Sequence, residues 1–283
     1  MSLQLLPISR NITTLRKTVA AWHHDGLKVA VVPTMGALHE GHLTLVRRGF
    51  EVADRVITTI FVNPRQFAAH EDIGRYPRDE AGDTEKLAAV GTSLIFAPAP
   101  EEIYPDGFAT AVHMEGPAKV GLEDAFRPHF FDGVATIVAK LFVQTAADFA
   151  MFGEKDYQQL KVVTRMARDF DLPIEVVGVP TIREADGLAM SSRNAYLSAE
   201  ERQEATAIIR ALTKAAKTIR SGGNHEAATQ EAAEALAAQH FKVDYVAVRN
   251  ADTLATPQST TEPLRLLAAA WLGKTRLIDN IAV

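Results

Sequence analysis

Residues 28–49 read KVAVVPTMGALHEGHLTLVRRG. KVAVVP (28–33) is an apolar, β-branched run with no polar alternation, the pattern of a strand buried on both faces. The run stops at Pro33, and Gly36 and Gly41 mark a tight turn. Beyond them the apolar positions take up a helical period. Strand, turn and helix make the first half of a crossover unit, and the pattern recurs. VITTIFV (56–62), SLIFAP (93–98), FAMF (149–152) and IEVVGV (174–179) read as further strands. Helical patterns run over about 10–23, 42–53, 79–90, 134–145 and 157–170. Such alternation predicts an α/β fold, a Rossmann-like, mostly parallel sheet with helices on both faces, as the N-terminal domain over 1–183.

A different module is expected over 184–283, a smaller α+β C-terminal domain that would cover the first as a lid. SAEERQEATAIIRALTKAAKTIRSG (198–222) and HEAATQEAAEALAAQHF (225–241) read as two alanine-rich helices. Ser198 and Glu201 have capping-box spacing, and Gly222 and Gly223 end the first helix. VDYVAV (243–248), RLLAAAWL (265–272) and TRLIDNIAV (275–283) read as strands. The stretch between the modules, PTIREADGLAMSSRNAYLS, has little periodicity.

The 283 residues carry 30 Lys and Arg against 35 Asp and Glu, a net charge of −5, so no global basic field favours nucleic acid. There is no cysteine, which excludes thiolate chemistry and Cys-ligated metals. No apolar stretch approaches a membrane span, and the N-terminus lacks a long apolar segment of the signal-peptide kind. A cytoplasmic protein without a membrane partner is the expectation. An acidic small-molecule substrate would therefore need local positive groups.

In an open parallel sheet, ligands bind outside the carboxyl ends of the strands. Four expected strand ends carry Thr34, His39, His42, Asn63, Gln66, Lys155, Asp156, Ser191, Ser192 and Arg193. His39 and His42 lie one helical turn apart at a helix N-terminus, where unpaired amides and the dipole favour a phosphate. That setting disfavours imidazolium while the site is empty. Two other readings stay open: the histidines cap the helix, or they bind zinc. Zinc fits poorly, because HEGH has i, i+3 spacing where a metalloprotease needs i, i+4. No Walker or dinucleotide fingerprint is present. Lys155 is either a solvated ion pair with Glu154 or Asp156, or a point charge on an α-phosphate. Ser191, Ser192 and Arg193 are either a turn or a mobile clamp on the same phosphates. Gln66 and Gln159 offer neutral amides, which can place a carboxylate without blunting it as a nucleophile.

PTMGALHEGH, FVNPRQF, FGEKDYQQL and DGLAMSSRNAYLS, followed by AAWLGKTRLIDN, together resemble the motif series of the pantoate–β-alanine ligase family. HEGH resembles the HIGH-type signature of the wider nucleotidyltransferase superfamily, and MSSR stands where those enzymes carry a KMSKS-type loop. The resemblance implies that ATP and pantoate form pantoyl adenylate and pyrophosphate. β-Alanine then attacks the acyl carbon, and pantothenate and AMP leave. It implies ATP contacts at Met35, Gly36, Ala37, Leu38, His39, Glu40, Gly41 and His42. Further ATP contacts fall at Gly153, Glu154, Lys155, Asp156, Ile182, Met190, Ser191, Ser192 and Arg193. Pantoate would lie against Gln66 and Gln159, with Gln66 also near β-alanine. His42 would stabilise phosphate or donate a proton, assisted by His39, Lys155 and Arg193. Mg2+ would accompany ATP, with Asp83 as a contact, and the protein would be a homodimer feeding coenzyme A synthesis.

Two departures stand out. RPHFFDGV (127–134) replaces a pattern like RPGHFRGV, which shifts a histidine to 129 and puts Asp132 where a basic residue is usual. Arg65 replaces a usual methionine. Three rival functions share some of these features. A transferase that moves AMP onto a phosphate ester would want more Lys and Arg at the acceptor. An aminoacyl-tRNA ligase would want a basic stripe. An ATP-binding regulatory module would bind without turnover.

Overall fold

The computed structural model describes residues 6–67, 72–74, 76–259 and 261–283. Six parallel strands form the larger sheet: β1 (Ile8–Ser9), β2 (Val29–Thr34), β3 (Arg55–Ile60), β4 (Leu94–Phe96), β5 (Phe149–Gly153) and β6 (Glu175–Val179). Their order is β1-β4-β3-β2-β5-β6. The chain winds outward from β2 through β3 and β4, then restarts at β5 on the other side of β2. The β2/β5 junction is thus the switch point, where a crevice opens at the carboxyl edge.

The helices α1 (Ile12–His24), α2 (Glu40–Val52), α3 (Glu80–Ala89), α4 (Pro100–Ile103), α5 (Glu123–Phe126), α6 (Phe130–Thr145) and α7 (Tyr157–Asp169) cover the sheet. Alternation along β2 assigns the two faces. Val29 and Val31 join Leu15, Phe142 and Val162 in one apolar core. Ala30 and Val32 join Leu45, Val46 and Leu87 in another. Two-sided burial is why KVAVVP shows no polar alternation.

The sequence pattern gives no sign of β1. Its two residues are too few to show a period, and parallel pairing of Ile8 with Ile95 and Ser9 with Phe96 forms it. α6 begins at Phe130, ahead of the expected start at 134, and most of its residues are buried.

The remainder holds α8 (Ala199–Glu204), α9 (Ala207–Arg220) and α10 (His225–Ala237) beside an antiparallel sheet. That sheet runs β7 (Lys242–Asn250), β8 (Leu264–Leu272) and β9 (Thr275–Ala282). α9 and α10 pack Leu212, Ala216 and Leu236 on Leu266, Ala268 and Ala270. The capping box of Ser198 and Glu201 forms, and Gly222 closes α9 with φ +86°. The single helix expected over 198–222 is instead two. The chain turns at Ala205 and Thr206, where the Thr206 hydroxyl donates to the Gln203 carbonyl (2.9 Å).

The small sheet is anchored to the large one by buried polar groups. Arg183 grips Asp279 with both nitrogens (2.7 and 2.9 Å). Arg265 reaches Glu154 (3.0 Å) and the Asn280 amide oxygen (2.6 Å). Asn280 in turn donates to the carbonyls of Glu154 and Lys155, each at 2.9 Å. The last strand therefore holds the turn that carries Lys155. Among the described residues no helix is long and apolar enough to cross a membrane.

Candidate active site

A cavity of about 1070 Å³ opens at the carboxyl edge of β2, β3, β5 and β6 and continues under the small sheet. Met35, His39, Gly41, His42, Gln66, Gly153, Lys155, Asp156, Gln159, Ile182, Met190, Ser191, Ser192 and Arg193 all line it. Residues far apart in the chain, from Met35 to Arg193, thus share one space.

The two histidines cap α2 and still face the cavity. His39 Nδ1 accepts from the Gly41 amide (3.2 Å), and His42 Nδ1 accepts from the His39 amide (3.4 Å). A ring nitrogen that accepts from N–H carries no proton, so the proton of each neutral ring sits on Nε2. The ring centroids are 4.2 Å apart. Burial is the main cause that pushes His39 down to about 4, aided by the Lys155 charge. Burial also pushes His42 down to about 3, aided by His39 and then Lys155. Both rings are neutral N–H donors at pH 7. Capping and ligand-facing roles coexist because each uses a different nitrogen.

Gly41 serves this arrangement. A Cβ there would lie 2.9 Å from His39 Cε1 and 3.0 Å from its Nδ1, so only glycine lets the ring fold back over the helix start. Gly36, Ala37 and Leu38, expected against ATP, lie behind the cavity wall. Gly36 and Ala37 both take left-handed φ values, +83° and +51°. A turn of this kind gathers successive amides into an anion-binding nest, and here the protein fills it. The carboxylate of Asp83 accepts from the amides of Ala37 and Leu38, each at 2.8 Å. Asp83 is 1% exposed and also lies 3.4 Å from Lys86 Nζ. Asp83, expected as a metal contact, uses its oxygens in this structure to brace the turn from inside. Glu40 and Glu154 also lie off the wall, paired with Arg47 and Arg265.

Lys155 is mostly buried at the wall, and its Nζ lies 3.7 Å from Asp156. Ser191 caps a short 3-10 turn by accepting from the Arg193 amide (3.3 Å). Ser192 meets the Tyr76 hydroxyl at 3.4 Å, and the Met190 amide donates to the Ile182 carbonyl (2.9 Å). Gln66 is buried; its amide nitrogen lies 3.0 Å from Met35 Sδ, and its Oε1 accepts from Asn63 Nδ2 (3.1 Å). The Gln159 side chain lines the cavity beside Lys155 and Asp156. Its neighbour Gln158 instead clamps the loop at Pro117, Glu123 and Asp124.

Of the departures in sequence, Asp132 and Arg65 fall outside this cavity, whereas Phe130 of RPHFFDGV lines it. Asp132 bonds His113 Nδ1 (2.8 Å) and the Met114 amide (3.0 Å). Arg65 stacks its guanidinium over Tyr104 and Phe108, at 5.1 and 4.8 Å from the ring centres. Sequence reasoning missed three parts of the wall. Arg127 covers the Phe130 ring at 3.8 Å and donates to the Gln66 carbonyl (3.1 Å). Tyr76 reaches in from the segment after Gln66. Phe131, Val134, Ile137, Val138 and Leu141 give one apolar side. That last group repeats at helical spacing, a signal for a buried helix face that does not by itself indicate a ligand.

The cavity wall carries two chemically distinct sets of groups. Neutral imidazole N–H donors and an ammonium group gather at the helix start, as phosphate requires. Amides beside an apolar wall suit a small branched acid. Among the described residues no group of three or more His, Asp or Glu side chains converges to hold a metal.

The chain is similar to known proteins over nearly its whole length. The family model described as pantoate-beta-alanine ligase matches residues 7–282. Pantothenate synthetase of Caulobacter vibrioides is 58% identical over 280 residues, covering 98% of each chain. That of Rhodopseudomonas palustris is 53% identical over 277 residues, again with 98% of each covered. The crystal structure of pantothenate synthetase from Thermus thermophilus superposes with a TM-score of 0.92 at 45% identity, covering 98% of this chain and 99% of the other. Pantoate-beta-alanine ligase from Francisella tularensis, complexed with beta-gamma ATP and β-alanine, gives a TM-score of 0.83 at 30% identity, with 98% and 97% covered. With the family model, the sequence relatives and the fold matching across nearly its whole length, the chain belongs to the pantoate–β-alanine ligase family.

Proposed function

We propose that this cavity joins pantoate to β-alanine with cleavage of ATP, through a pantoyl adenylate. The carrying observation is that His42, Lys155, Gln66 and Gln159 line one space, which holds both phosphate-type donors and neutral amides. ATP lies along the start of α2, the 153–156 turn and residues 182 and 190–193. The Nε2–H groups of His39 and His42 and the Lys155 ammonium face its phosphates. Gln66 and Gln159 hold pantoate so that a carboxylate oxygen attacks the α-phosphorus. Pyrophosphate leaves, and the negative charge that develops meets donors fixed before the reaction. The free amine of β-alanine then attacks the acyl carbon; AMP leaves, and the amine nitrogen gives up a proton. No side chain becomes covalently attached.

Mg2+ would accompany the triphosphate, whose oxygens would supply most of its ligands. Asp156, on the cavity wall 3.7 Å from Lys155 Nζ, is a carboxylate that would help hold it. Residues 190–196 cover the site and keep water from the adenylate. A homodimer in the cytoplasm is proposed on family grounds alone, and light scattering on the purified protein would test the oligomeric state.

Pyrophosphate–ATP exchange tests the reading. Exchange that requires pantoate and needs no β-alanine is the expected outcome. Exchange driven by a phosphate ester, or none, would favour the adenylyl transferase or the regulatory module.

A further inference from the structure

Gln66 could in principle face a substrate with its carbonyl or its amino group, and the difference decides what it binds. The structure removes the choice through Asn63, which is 1% exposed. Asn63 Nδ2 donates to the carbonyl oxygen of Gly133 (3.1 Å), an atom that can only accept. Its Oδ1 accepts from the Arg65 amide (3.3 Å), which can only donate. The side chain cannot flip. Its second N–H must point at Gln66 Oε1 (3.1 Å), so Gln66 turns only its NH2 toward Met35 and the cavity.

One further group completes Asn63. The Tyr104 hydroxyl donates to Oδ1 at 2.7 Å, the shortest bond of the set. Tyr104 does not line the cavity. It is held between Phe61 (6.1 Å between centres) and Phe108 (5.1 Å), with Arg65 over its face. Burial pushes its hydroxyl up to about 12, so it remains a donor at any working pH.

We propose that Tyr104 is a positioning residue for the ligation: through Asn63 it fixes the Gln66 amide so that only N–H donors meet the acid substrate. The relay rests on the reading of Gln66 as a pantoate contact. It explains why a neutral side chain can aim a carboxylate: Asn63 engages the Gln66 oxygen and leaves its NH2 to face the acid. It also gives Arg65 a place, as an outer brace on the Tyr104 ring.

Tyr104→Phe removes one oxygen and leaves the ring contacts, so the variant is expected to fold. Steady-state kinetics with pantoate and ATP varied separately, together with a melting curve, test the proposal. The expected result is a fall of about ten-fold in kcat/KM for pantoate, with KM for ATP within about two-fold of wild type. Unchanged kcat/KM for pantoate overturns the relay, whatever the melting temperature. An equal loss toward both substrates overturns it too, since that marks a general structural role. Wild-type protein that shows no pantoate-dependent exchange overturns the parent reading and the relay together.

Discussion

At the scale of single residues, the proposed mechanism places the heaviest burden on His42 and Lys155. Losing a fixed donor to developing charge commonly costs about a hundred- to a thousand-fold in turnover. His42→Ala and Lys155→Ala are expected to lose that much kcat while melting as folded proteins. Near-normal turnover in either variant would remove that residue from the chemistry. The histidines also make a prediction about acid stability. Their native values, about 4 and about 3, lie below the ordinary 6.5. The unfolded chain therefore binds more protons between those limits, and stability falls as pH drops from about 6.5 toward 4. The ligand-free protein should lose roughly 5–10 °C of melting temperature between about pH 7 and about pH 5 from this source. A His39→Asn, His42→Gln double variant should show a flatter profile; an identical slope would mean that the rings are not buried as neutral groups. The sequence revealed the histidines, because a polar pair after a buried strand is conspicuous. It did not reveal the role of Asp83. Its partners at Ala37 and Leu38 are backbone amides, distant in the chain, and leave no mark on side-chain pattern.

At the scale of elements, the acid pocket depends on how closely α6 approaches the turn at Pro64–Gln66. Gly133 makes that approach possible. A Cβ there would overlap the Arg65 carbonyl and lie 2.9 Å from Gln66 Cα. Gly133→Ala forces helix and turn apart, at a cost of about 1–3 kcal/mol for overpacking. It should also weaken pantoate binding more than ATP binding, as separate KM values would report. Equal effects on both substrates would show that the Gln66 turn is not the sensitive part. The strands and major helices were legible because two-sided burial and helical period are strong local signals. β1 and the break at Ala205 and Thr206 were not. The first is made by pairing with β4, and the second interrupts a sequence of good helix formers through tertiary packing and a side-chain bond at Thr206.

At the scale of the whole molecule, the small sheet is part of the site's frame. Arg265–Glu154 and the two Asn280 bonds tie β8 and β9 to the Lys155 turn, and Arg183–Asp279 ties β9 to the segment after β6. With that frame tied down, closure is proposed for the 190–196 segment, where Tyr76 meets Ser192 at the cavity wall. Hydrogen exchange should slow in 190–196 when ATP is added and change little in β8 and β9. Unchanged exchange in 190–196 would remove it as a cover. Sequence patterns point to two modules but give no sign of this anchoring, since Asp279 and Asn280 read simply as polar residues in a terminal strand. The proposed chemistry turns on an amide-held acid attacking the α-phosphorus of ATP. The direct test is mass spectrometry of enzyme incubated with ATP, Mg2+ and pantoate while β-alanine is withheld. Pantoyl adenylate should accumulate and disappear into pantothenate and AMP once β-alanine is added; pantothenate formed with ADP and no adenylate would contradict that order of events.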